Sequence, residues 1–115
     1  MSIKRIESTA RMTKAVVHGD TVYLSGITAD DRTATVEVQC QQICDKIDAL
    51  LVEAGTSKSN LLSAQIWLTD INNWARFNTV WDKWVDPDNT PARATVEGKL
   101  AAPGLLIEIM VIAAL

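Results

Sequence analysis

The stretch Leu105 to Leu115 constrains the fold more than any other, because every position in it except Glu108 is apolar. An apolar run of this length and β-branched content, interrupted only by Glu108, predicts a strand. Period-two alternation puts Leu106, Glu108, Met110 and Ile112 on one face and Leu105, Ile107, Ile109 and Val111 on the other. Both faces therefore predict burial. A lone carboxylate in such a setting costs roughly several kcal/mol even after relaxation, so Glu108 has to be paired, hydrogen-bonded or protonated. Arg93, in the preceding strand-like run Pro91–Val96, is the cation expected to share its site. A structural ion pair between neighbouring strands and a functional pair both fit this pattern, since either perturbs charges.

Upstream, Ser2–Ile6 reads as a first short strand, and Lys14–Val17 and Thr21–Ser25 read as a hairpin turning at Gly19-Asp20. His18 stands at that turn as a solvated residue, and Gly26 follows the strand where a Cβ would obstruct close approach. From Thr35, an N-cap, the period changes to 3.6, with Val36, Cys40, Ile43, Cys44, Ile47, Leu50, Leu51 and Ala54 on one face and Gly55 as the stop. Leu61–Leu68 reads as a strand with Leu62, Ala64, Ile66 and Leu68 on one side. Asp70 or Asn72 caps a second helix, whose Trp74, Phe77, Trp81 and Trp84 form one packed aromatic face, with Asn78 beside it. Asp86–Pro91 turns the chain.

This order of elements predicts an α+β domain over residues 1–115, a two-layer mixed sheet with both helices on one face. With the last strand apolar on both sides, association with further copies is the economical cover for the second face. A net charge of −3 and a pI near 5.0 provide no basic footprint for nucleic acid or for an acidic membrane surface. No apolar run approaches the ~20 residues needed to span a bilayer, and no secretory leader pattern is visible, so a cytoplasmic protein is expected. Cys40 and Cys44, four apart on an apolar helix face, read as packed thiols. With one His in the chain, a zinc site lacks ligands.

Pro91-Ala92-Arg93-Ala94-Thr95-Val96, then Lys99 and Ile107-Glu108-Ile109, resemble the C-terminal signature of the RidA (YjgF) family, the reactive-intermediate imine/enamine deaminases. The resemblance extends to Leu24-Ser25-Gly26, Glu53-Ala54-Gly55 and Phe77-Asn78-Thr79-Val80-Trp81, and so covers nearly the whole chain. It implies a chorismate-mutase-like (RidA-like) fold, a homotrimer with a ligand cleft at each subunit interface, and no cofactor or metal. It also implies hydrolysis of 2-aminoacrylate and related 2-imino acids to 2-keto acids and ammonia. On this reading Arg93 grips the substrate carboxylate, Glu108 positions the attacking water, and Ser25, Gly26 and Asn78 line the cleft. The family's tyrosine ahead of the first hairpin is replaced by Met12, and neighbouring Arg11 adds a second cation to the expected binding set. A non-catalytic, carboxylate-binding or chaperone-like trimer is the alternative, with Glu108 then a structural ion.

Overall fold

A computed structural model describes residues 1–115. Three N-terminal strands, β1 (Ile3–Ser8), β2 (Thr13–His18) and β3 (Thr21–Leu24), form an antiparallel meander. Helix α1 (Val36–Ala54), strand β4 (Leu61–Leu68), helix α2 (Trp74–Trp84) and strands β5 (Ala92–Glu97) and β6 (Ile107–Ala114) follow. One six-stranded sheet results, in the order β1-β2-β3-β6-β4-β5, antiparallel throughout except for the parallel pair β4/β5. A parallel pair needs a crossover, and α2 supplies it. Both helices lie on one face of this mixed sheet, as the sequence predicts.

Local chemistry explains the helix limits. The Thr35 hydroxyl accepts the Val38 N–H at 3.3 Å, and Gly55 closes α1 in the left-handed region at φ 94°. There the Gly55 N–H reaches Val52 O at 3.0 Å and the Thr56 N–H reaches Leu51 O at 2.9 Å, which is the Schellman pattern. Neither Asp70 nor Asn72 caps α2 as expected: Asp70 caps a short 3₁₀ turn, Ile71–Asn73, by accepting the Asn72 N–H, and α2 starts after Asn73 without a side-chain cap. All eight residues predicted for the inner face of α1 are buried, and so is Gln39, a polar residue on that same face. Its amide is fully used: Nε2 donates to Gly104 O at 2.9 Å and Ala34 O at 3.1 Å, and Oε1 accepts the Leu106 N–H at 2.9 Å. Gln39 thereby ties the loop that feeds β6 to the start of α1.

Within one chain the last strand is covered on one face only, the other being the face for which the sequence calls on further copies: Ile107, Ile109, Val111 and Ala113 are buried under the helices, whereas Met110 on the opposite face is 37% exposed. The helices of one chain reach only one side of the sheet. Two further local expectations change. In β4 a bulge between Leu61 and Ser63 turns Leu61 inward and leaves Leu62 52% exposed. In α2, Phe77, Trp81 and Trp84 are buried but Trp74 is 50% exposed. At 3.6 residues per turn Trp74 points about 50° away from the mean direction of the other three rings, and it stands in the helix's first turn.

Candidate functional site

Register decides how the predicted residues are distributed. Ala64, Ile66 and Leu68 of β4 face the helices, and their partners in β5 are Arg93, Thr95 and Glu97. Arg93 therefore rises on the helix side, beneath the crossover helix. There its Nη1 donates to Asn78 Oδ1 at 2.8 Å, and its guanidinium carbon lies 5.1 Å from the centre of the Phe77 ring and 5.3 Å from that of Trp81. No carboxylate pairs with it: the chain's ion pairs are Lys46–Asp30 and Arg76–Glu37, both at 2.7 Å. The guanidinium charge is thus held by dipoles and ring faces, with its remaining N–H groups uncommitted.

Glu108 lies on the other side. It pairs across the strands with Trp67, on the face the helices leave uncovered. Its carboxylate packs directly on Gly26: a Cβ built there would overlap Oε2 and stand 2.9 Å from Cδ. Gly26 does not have a positive φ, so its role is to give room and not to adopt a special backbone conformation. Beside it the Ser25 hydroxyl is buried and has no hydrogen-bond partner within the chain. The Ser25 N–H donates to Lys14 O at 2.8 Å, which brings the turn carrying Arg11 and Met12 to this end of the sheet. Both residues are exposed, and Thr9 Oγ1 accepts their backbone N–H groups at 3.2 Å.

Within one chain, then, the expected residues form two groups on opposite faces of the sheet. Arg93 and Asn78 make one and Ser25, Gly26 and Glu108 the other, while Arg11 is exposed on the turn between β1 and β2. Arg93 and Glu108 do not form the ion pair between neighbouring strands that the sequence allows, because β4 lies between β5 and β6, and Arg93, level with Ala64, faces the helices whereas Glu108, level with Trp67, faces the open side. Sequence reasoning also missed Thr95, two residues from Arg93 on the same face, whose hydroxyl is buried without a partner. Period-two alternation from Arg93 was the signal available for it. Trp67, by contrast, is placed opposite Glu108 only by the register of β4 on β6.

Cys40 and Cys44 are fully buried and reduced. A hydrogen bond with Cys40 and burial push the Cys44 thiol well above its ordinary value, which suits packing and not thiolate chemistry. No group of three or more His, Cys, Asp or Glu side chains is arranged to hold a metal ion. No helix is long and apolar enough to cross a membrane.

Residues 2–115 match the family described as endoribonuclease L-PSP. A RutC family protein of Haemophilus influenzae is 40% identical, the match covering 98% of each chain. The RutC family protein YoaB of Escherichia coli is 37% identical over 99% of each. Among solved structures, NMB1025 of Neisseria meningitidis, a member of the YjgF protein family, superposes with a TM-score of 0.96 at 37% identity, covering 99% of this chain and 95% of that one.

Proposed function

The chain belongs to the endoribonuclease L-PSP family, the YjgF/RidA proteins, and from that premise we propose that it hydrolyses 2-imino acids and their enamine tautomers to 2-keto acids and ammonia. The observation that carries this reading is the state of Arg93: a guanidinium steadied by Asn78 and two rings, with no acidic partner in its own chain. Such a group suits a planar carboxylate held by two parallel hydrogen bonds. Because Glu108 stands on the opposite sheet face, one site using both residues takes Arg93 and Asn78 from one copy and Ser25, Gly26 and Glu108 from the next. A homotrimer closes such a contact symmetrically and covers the open sheet face.

The chemistry follows from these groups. An enamine first gains a proton at its terminal carbon and becomes the iminium, whose carbon is electrophilic without a metal or covalent nucleophile. Glu108 accepts a proton from water as the oxygen attacks that carbon. Glu108 passes that proton to nitrogen and then takes the remaining hydroxyl proton as the C–N bond breaks, so ammonia leaves as the carbonyl forms and the second proton departs with it to solvent. Arg93 holds the carboxylate, so the carbon stays over the water. Ser25, on the Glu108 side beside Gly26, offers a hydroxyl with unused bonding capacity.

The test couples an amino-acid oxidase to the protein as a source of imine and follows keto-acid release. Arg93→Lys keeps the charge but loses the fork, and Glu108→Gln keeps the shape but cannot take the proton; each should lower hydrolysis at least about 100-fold in folded protein. Unfolding and refolding the two variants together should restore activity. With random assembly about one quarter of two-chain sites draw Arg93 from one variant and Glu108 from the other. Wild-type hydrolysis by both variants overturns the assignment, and absence of recovery on mixing overturns the two-chain site. A wild-type protein that binds 2-keto acids without hydrolysing imines leaves the carboxylate-binding module in its place.

A further inference from the structure

We infer that Phe77 and Trp81 are positioning residues: together with Asn78 they hold the Arg93 guanidinium as a preset fork for a carboxylate, a role that rests on the reading of Arg93 given above. Phe77 and Trp81 are one helical turn apart, and their ring centroids are 6.2 Å apart at 51°. Arg93 reaches both, at 5.1 and 5.3 Å, and Asn78, next in sequence to Phe77, takes one Nη1 hydrogen at 2.8 Å. The position of the cation is thereby fixed from two directions.

The placement follows from the fold. Because α2 is the crossover between β4 and β5, its inner face passes over the strand that carries Arg93. Phe77 is fully buried and Trp81 nearly so, while Asn78 and Arg93 are half-buried. The cation therefore sits at the boundary between core and surface, with its apolar face inward. A free arginine side chain samples many rotamers, and ordering it on binding weakens affinity. Here that ordering precedes the ligand. A lysine at position 93 keeps attraction to the rings but has no plane for them to orient, which makes the cradle specific to the guanidinium.

The test measures binding of pyruvate, a small 2-keto acid, by calorimetry to the folded protein. Trp81→Leu should weaken pyruvate binding about tenfold, and Trp81→Phe, which keeps a weaker ring, by a smaller factor. The decisive readout is a double-mutant cycle: in an Arg93→Lys background the Trp81 substitutions should no longer change pyruvate affinity. A purely structural Trp81 would lower the melting temperature without that coupling. Phe77→Leu gives the same cycle independently, and Trp81→Phe serves if Trp81→Leu does not fold. Unchanged pyruvate binding in folded Trp81→Leu, or an equal loss with and without Arg93, overturns the inference. Imine hydrolysis by the wild type alongside either result sinks the cradle alone. Coupled pyruvate binding without any hydrolysis sinks the hydrolase reading alone.

Discussion

Replacing Gly26 with alanine isolates the contact between the chain and the Glu108 carboxylate. The added Cβ would stand 2.9 Å from Glu108 Cδ and 3.3 Å from Cγ, and would overlap Oε2. Carbon atoms pack at about 3.5–4.0 Å, so the carboxyl group must retreat by about 1 Å. Nothing in the backbone opposes the change, since φ at Gly26 is negative and alanine adopts it freely. The obstructing atoms are the far end of a flexible side chain, so the cost to stability should fall toward the lower part of the ~1–3 kcal/mol typical of overpacking. The cost to catalysis should be larger, because a misplacement of about 1 Å costs roughly 100-fold in rate. Imine hydrolysis should therefore fall about 100-fold, while urea denaturation shifts little and pyruvate binding through Arg93 persists. Gly98→Ala is the control, because its Cβ would meet nothing nearer than Trp67 Cδ1 at 3.7 Å. A Gly26→Ala protein that hydrolyses imines at the wild-type rate would refute the reasoning, since the carboxylate position would then not matter.

Three further outcomes are expected. Trp81→Ala should cost about 3–5 kcal/mol in urea denaturation, whereas Trp74→Ala, half exposed, should cost under about 1 kcal/mol; equal costs would contradict the burial difference. Light scattering at micromolar concentration should give about 38 kDa, three times the 12.6 kDa of one chain, and a value near one chain would remove the two-chain site. Cys40 and Cys44 should resist a thiol-exchange reagent at pH 8 in native protein and react on unfolding, because burial and their mutual hydrogen bond keep the Cys44 thiol protonated; native reaction at the unfolded rate would contradict this.

The features that the sequence alone determined are those set by local periodicity and local chemistry. The inner face of α1 and its stop at Gly55 follow from 3.6-residue spacing and a left-handed cap, and both are present in the structure. The isolated carboxylate Glu108 in an apolar strand and the arginine in Pro91–Val96 were visible for the same reason. What tertiary structure decided is which way each residue faces. Alternation along a strand specifies two faces but not which of them the helices will cover, and that choice placed Arg93 under α2 and Glu108 on the open side. The exposure of Leu62 came from a one-residue bulge, and the burial of Gln39 from backbone groups 65 and 67 residues away, Gly104 O and Leu106 N. The aromatic cradle around Arg93 depends on a crossover that brings α2 over β5. Strand order, register and crossover depend on pairings between distant segments, and no pattern within a short window encodes them.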